Sequence, residues 1–240
     1  MVETIVVIMM TLLLVFGAIQ FAMLYNAKST LNYAVFEATR AGALNYGDRQ
    51  AVEFALAAGL SPLYTSLSSQ DQQLSSINTA LRMYNNVEQV KNARNDMLTE
   101  IRDEEFVCIR RISPSNADFD AYAVADPTGI FPDQKLIPND HLKYRTATIK
   151  GSSKLTLQDA NLLKIEVTYC HYMDVPVIAT VVRRLFGVKS DPDPVPGWVT
   201  PTTERFRKNC FDKSRVPIVS QAIIRMQTPI KNDSYATSCL

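Results

Sequence analysis

Four cysteines and two histidines are the residues whose types could support redox, metal or nucleophilic chemistry in this chain. They are Cys108, Cys170, Cys210 and Cys239, with His141 and His171. No two cysteines form a CxxC pair, and the histidines do not complete a zinc-type ligand spacing with them. An even cysteine number in an exported domain points instead to disulfides, for which four cysteines allow three connectivities. His171 directly follows Cys170, but neighbouring strand residues point to opposite faces, so the two do not meet as a thiol–imidazole pair. GxSxG, HExxH, a phosphate-binding loop and a dinucleotide fingerprint are absent from the sequence. Glu104 with Glu105 and Asp191 with Asp193 read as solvated surface charge. No catalytic residue, metal or cofactor is therefore expected. With 25 basic against 24 acidic residues, the chain also lacks the concentrated positive charge that nucleic-acid binding requires.

The remaining reactive residue stands at the head of an apolar run. Glu3 precedes Thr4–Leu24, TIVVIMMTLLLVFGAIQFAML, which contains no charge and no proline. At about 1.5 Å per residue, a helix needs about 20 such residues to cross a hydrocarbon core. A cleaved secretory signal is the competing reading, but its apolar region runs about 7–15 residues after a basic stretch. This run is longer and Glu3 precedes it, so a retained membrane anchor is favoured. A carboxylate there is either an interfacial group near the positive end of the helix dipole or the partner of a positive group on another subunit. Lys and Arg counts near the span, with Lys28 and Arg40 on its C-terminal side, would place the large domain in the cytoplasm. The cysteines favour an oxidising compartment.

Stepping along from the anchor, the helix is expected to continue through Asn26–Tyr46. Ala27, Leu31, Ala34, Val35, Ala38, Ala41 and Leu44 fall on one stripe at helical spacing. Its small residues Ala34, Ala38 and Ala41, with Gly42 beside them, permit close helix packing. The partner is either the chain's own globular domain or sister helices. A second, short helix is expected over Asp48–Leu60 and a long one over Gln70–Glu105, with a polar linker between them. Strands are expected at Phe106–Ile112, Leu162–Tyr172 and Val216–Gln227, forming a small antiparallel sheet with one buried face. The proline-bearing stretch Ser113–Ser153 reads as a long loop. Pro176–Phe186 reads as a short helix, packed in the core or lying on a membrane surface. Ser190–Pro201 reads as a proline-rich loop whose Trp198 either contacts a partner or caps the core. Cys108 and Cys170 lie in neighbouring expected strands and Cys210 and Cys239 flank the third. Those pairings are favoured, each worth roughly 2–4 kcal/mol.

The first 44 residues resemble the TadE family of tight-adherence pilus assembly proteins, minor pilin-like subunits of bacterial type IVb pilus systems. The acidic residue Glu3 opening the apolar run, Tyr25 and Asn26 in YNAKSTLNYA, and Glu37, Arg40, Ala41 and Gly42 in FEATRAGA carry the resemblance. Ala160–Tyr169 and Val216–Pro229 are similar to the longer members. The resemblance implies a pilin-like α+β fold, with a helical anchor over 1–46, a helical region over 47–105 and a sheet-containing periplasmic domain over 106–240. It implies a single-pass inner-membrane protein whose partners are the lipid bilayer, other pilin or pseudopilin subunits and the pilus assembly platform, with Glu3 as the helix-docking residue. Incorporation into a surface pilus follows from the same resemblance. It further implies a basic leader ending in Gly and cut so that the acidic residue becomes fifth. Here Glu3 is third, so a start upstream of Met1 or within a leader is expected. The readings that compete with a pilus subunit are a membrane-anchored periplasmic binding or adhesin domain that never enters a filament and, further behind, an anchored enzyme.

Overall fold

The computed structural model describes residues 2–63, 79–102, 106–126, 129–132, 134–173, 201–213, 215–233 and 235. Val2–Leu44 forms one unbroken helix, α1. It contains no proline, and its Thr11, Thr30 and Thr39 hydroxyls donate to the carbonyls of Val7, Asn26 and Val35 one turn back. Those polar side chains are thus satisfied within the helix itself. The helix ends where Tyr46 and Gly47 adopt left-handed backbone, φ 56° and 72°. The Gly47 N–H donates to the Gly42 carbonyl at 2.9 Å, closing the last turn. A side chain at 47 would also place its Cβ 2.6 Å from Ile230 Cγ1, so both backbone and space require glycine.

Asp48 then caps α2 (Arg49–Leu60), accepting from the Ala51 N–H at 3.0 Å. Val52, Leu56, Ala57 and Leu60 bury one face of α2 against α1. Glu53 is buried among them, and Arg49 at 2.6 Å and Arg102 at 3.8 Å supply its counter-charge. After a 3-10 turn (Ser61–Leu63) the next described element is α3 (Thr79–Arg102). Its Ala93, Met97 and Ile101 are buried, while Val90, which the helical spacing places on the same stripe as Met97 and Ile101, is exposed. The portion of the long helix expected over 70–78, with Leu74 and Ile77, lies outside the described residues.

Two antiparallel sheets follow. The larger has the order β1 (Val107–Ser113), β4 (Leu162–Tyr172), β5 (Arg215–Arg225). Period-two alternation sends Val107 and Ile109, Leu163, Ile165, Val167 and Tyr169, and Ile218, Ala222 and Ile224 to one face. That face joins Leu31, Ala34, Val35 and Ala38 of α1 in one apolar core. Full burial of Leu31 or Val35 alone contributes roughly 1.5–3 kcal/mol. On the opposite face Arg110 pairs with Glu166 at 2.6 Å, and Gln221 donates to the same carboxylate. The expected three strands and their facing are those observed.

The stretch 113–153 is not the open loop anticipated. It holds α4 (Asn116–Tyr122), β2 (Val124–Ala125), β3 (Lys135–Ile137) and a 3-10 turn (Leu142–Tyr144). Ser115 and Asp118 form a capping box at the start of α4. The buried Asp118 carboxylate accepts from the Ser115 N–H and hydroxyl, both 2.7 Å, and from the Ser153 hydroxyl at 2.5 Å. The Tyr122 hydroxyl donates to the Leu155 carbonyl at 2.8 Å and accepts from the Lys150 N–H at 3.1 Å. The connection is thereby tied down by side chains that no periodicity reveals. β2, β3 and β6 (Ile230–Lys231) make the second sheet, with strands too short to register as patterns. A four-residue helix, α5 (Leu157–Ala160), leads into β4.

A further helix, α6 (Pro201–Asp212), begins at Pro201, the residue at which the proline-rich loop is expected to end, and no helix is expected there from the sequence. Pro201 instead occupies the first helical position, where its missing N–H costs nothing. The helix buries Phe206 and Cys210, one turn apart, against the outer face of the large sheet. The expected helix at Pro176–Phe186, the loop before Pro201 and Trp198 lie outside the described residues.

The end of the chain clasps the α1–α2 turn. Gln227 N–H donates to the Ala43 carbonyl at 3.0 Å and Lys231 N–H to the Tyr46 carbonyl at 2.9 Å. The Tyr235 hydroxyl donates to the Gly47 carbonyl at 2.8 Å, and burial raises that phenol's pKa so that it stays protonated. Lys231 Nζ reaches Asp48 at 2.6 Å. Burial acts to raise the Asp48 carboxyl, but the hydrogen bonds from Lys231 and Ala51 and the Lys231 charge leave it below its ordinary value. A carboxyl depressed on folding stabilises the fold above its unfolded pKa and loses that contribution as pH falls through the folded value. Asp48→Ala should cost about 1–2 kcal/mol at neutral pH through the lost cap and flatten the acid limb of stability below about pH 4. Chemical denaturation of both proteins across pH checks this; an unchanged acid limb counts against the clasp.

Candidate functional site

The chemistry of α1 changes along its length. From Val7 to Asn26 its side chains are exposed on all sides, apart from the partly covered Gly17 and Leu24 and the buried Gln20. Val7, Met9, Met10, Leu14 and Phe21 are among the large apolar residues so presented. α1 is the one described helix long and apolar enough to cross a membrane, by length and composition. From Ala27 onward one stripe is buried: Ala27, Leu31, Ala34, Val35, Ala38, Thr39, Gly42 and Ala43.

The small-residue stripe is occupied by the chain itself. A Cβ at Gly59 of α2 would meet Ala34 Cα and Cβ at 2.7 Å, and one at Gly42 would meet Val52 Cγ2 at 2.7 Å. At Ala34 and Gly59 the two helices cross at backbone-contact distance because neither carries bulk there. Ala34 and Ala38 are fully buried and Ala41 partly so. Of the two partners left open by the sequence, the chain's own domain covers this face. Glu3 lies in the first turn of α1, and its side chain is outside the described part.

The outer face of α1 carries Tyr33 and Phe36 over the same stretch and Tyr25 just before it, all exposed. Lys28 donates to the Val219 carbonyl and Asn32 accepts from the Ser220 hydroxyl at 2.8 Å, so two polar side chains fasten the helix to β5.

The cysteines require a correction. Cys170 bonds to Cys210, not to Cys108, with Cα atoms 5.4 Å apart. Cys108 sits opposite Thr168 in the register, and Cys170 is two residues further along β4. The two cysteines share a face, but α6 lies over that face and brings Cys210 to Cys170. Cys108 is also disulfide-bonded; Cys239 lies outside the described residues. The signal that could have revealed α6 is Phe206 and Cys210 at i,i+4 after a Pro at the first helical position.

No group of three His, Cys, Asp or Glu side chains placed to hold a metal occurs among the described residues. A cleft of about 370 Å³ lies between α4 and the small sheet, lined by Phe119, Asp120, Ala123, Gln134, Lys135 and Asn232. Beside it Arg111 stacks between the rings of Phe119 and Tyr235, 4.7 and 5.1 Å from their centroids, and donates to Asn232. Burial lowers the Arg111 pKa, against the raising influence of nearby Asp233.

The chain thus has a long apolar helix, exposed over most of Val7–Asn26 and serving as the spine of a small α+β head from Ala27 onward. The family model described as TadE-like protein matches residues 1–40, almost the whole of α1. The N-terminal segment of this chain is TadE-like, and the family is one of pilus assembly. No curated protein and no solved structure matches the chain.

Two outcomes follow from this geometry. Gly59→Val should lower stability by about 1–3 kcal/mol, because its side chain meets helix backbone that cannot yield; unaltered denaturation would refute the close crossing. Non-reducing peptide mapping should recover Cys170 linked to Cys210, and Cys170→Ser with Cys210→Ser should cost roughly 2–4 kcal/mol. A Cys108–Cys170 peptide would overturn the assignment.

Proposed function

We propose that this chain is a minor pilin or pseudopilin that takes part in assembly of a type IVb, tight-adherence pilus. It is held by α1 in the inner membrane with its head in the periplasm, and its partners are other pilin-type subunits and the assembly platform. The observation that carries this reading is the coincidence of the family match at 1–40 with the helix whose first half lacks an apolar cover from the described head. Such a surface is stable only in lipid or against other apolar helices. Transfer from one to the other is the mechanism proposed. The bilayer stores the subunit, and packing against neighbouring helices replaces lipid contact on extraction.

Glu3 sets the register of that packing. An uncompensated carboxylate in an apolar helix bundle is costly. Docking that places a neighbour's N-terminal amine beside Glu3 removes the cost, and misregistered docking does not. Since Ala34, Ala38 and Gly42 are engaged with α2 and the sheet, contact with sister helices falls to the residues before Ala27 and to the flank bearing Tyr33 and Phe36.

Two observations favour a second reading, an anchored periplasmic binding or adhesin domain outside any filament. The small-residue stripe that would suit inter-subunit packing is consumed within the chain, and the head carries a cleft of about 370 Å³.

Glu3→Ala should leave the protein in the membrane fraction and abolish pilus assembly, as read by surface pilin yield and co-purification with pilin subunits. Normal pili in that variant would sink the assembly role.

A further inference from the structure

Among the described residues, the head joins the apolar run without a stalk. α1 passes from its apolar run, which ends at Leu24, to its first residue fully buried in the core stripe, Ala27, within one helical turn and without a break. Whatever surrounds the helix at that level therefore sits at a fixed height relative to the span.

The strand beside the helix sets that surface. Ser220 faces Asn32, Lys28 reaches Val219, and Gln227 reaches Ala43, so β5 climbs in the same direction as α1. Asn32 stands about 12 Å above Leu24 along a helix. Arg215, five residues before Ser220, lies about 16 Å down the strand, less its tilt. The first residues of β5 and the last of β4, where Tyr172 pairs with Arg215, thereby come down to the level at which the apolar run ends.

The residues at that end have interfacial chemistry. Tyr172 is 55% exposed and Tyr25 is 72% exposed, two amphipathic rings near that level. Arg215 lies 3.6 Å and Lys213 5.0 Å from the centroid of the Phe106 ring, and Lys28 adds a third cation. Glu100 is the carboxylate held by Arg215, at 2.6 Å, and Asp212 ends α6 one residue before Lys213. Tyr rings and basic side chains are the residues that settle among lipid headgroups, with apolar bodies toward the acyl chains and polar tips in water.

We propose that the rim formed by Tyr25, Lys28, Tyr172, Lys213 and Arg215 is a second membrane contact, seated in the headgroup layer, so that the unassembled subunit lies on the bilayer and does not stand off it. The proposal rests on α1 spanning a bilayer. In assembly this contact has to be given up together with the span, which adds to the work of extraction and keeps idle subunits oriented.

The test uses the full chain in vesicles of phosphatidylcholine and phosphatidylglycerol. A Tyr172→Trp reporter in a Trp198→Phe background should lose roughly half its emission to a nitroxide on the lipid headgroup, the level at which interfacial aromatics lie. A Leu13→Trp reporter should be quenched by a nitroxide deep in the acyl chains. Quenching at Leu13→Trp without quenching at Tyr172→Trp overturns the rim and leaves this face to another subunit. Loss of both overturns the span and the rim with it. In the unmodified protein, a water-soluble tyrosine reagent should label Tyr144, which is 83% exposed, at the same rate in vesicles and in detergent, and Tyr172 several-fold more slowly in vesicles. Equal labelling of Tyr172 in both also overturns the rim.

Discussion

One helix has to suit two surroundings, and most of the molecule follows from that constraint. The first half of α1 can be apolar on every side only where lipid or other helices surround it. The second half needs one apolar stripe for its own head and a polar flank for water. Because the helix is unbroken from Val2 to Leu44, the two requirements are met on one rigid axis. The position of every other element is then measured from it.

The head is assembled around the second half in the order of increasing bulk. Where α1 carries Ala34, α2 approaches to backbone distance at Gly59, and at Gly42 α1 leaves room for the Val52 side chain. Where it carries Leu31 and Val35, the sheet residues Leu163, Ile165 and Val167 complete the core. The clasp at the α1–α2 turn returns the end of the chain to the spine, through carbonyl acceptors that a left-handed helix end leaves open. The disulfide between Cys170 and Cys210 does for the outer face of the sheet what the apolar core does for the inner one. It fixes α6 to the sheet beside the buried Phe206.

Long periodic segments were legible in the sequence, and short ones were not. The span, α1, α2, the existence of α3 and the strands β1, β4 and β5 were visible because each repeats a pattern over enough residues to stand out. The alternation of Leu163, Ile165, Val167 and Tyr169 gave the buried face of β4 directly. α4 depends on one capping box and α6 on a Pro at its first turn, signals a few residues long that a proline-rich context masks. Two- and three-residue strands such as β2 and β3 carry no periodicity at all. The stretch 113–153 therefore read as loop although Asp118, Tyr122 and Ser153 bind it firmly.

The sequence by itself determined that a membrane-length helix stands at the N-terminus, that it continues as an amphipathic helix, and that the head is α+β with a buried sheet face. These are properties of local spacing and composition, which no distant contact can reverse. It also held the TadE-like signature, since that signature lies within the helix. Only the tertiary structure decided which partner takes the small-residue stripe, which cysteines meet and where the head stands relative to the span. Each of these depends on residues far apart in the chain arriving at one place: Gly59 at Ala34, Cys210 at Cys170, Ser220 at Asn32. Distances of that kind are set by how elements pack, and packing is a sum over the whole core that no single segment encodes.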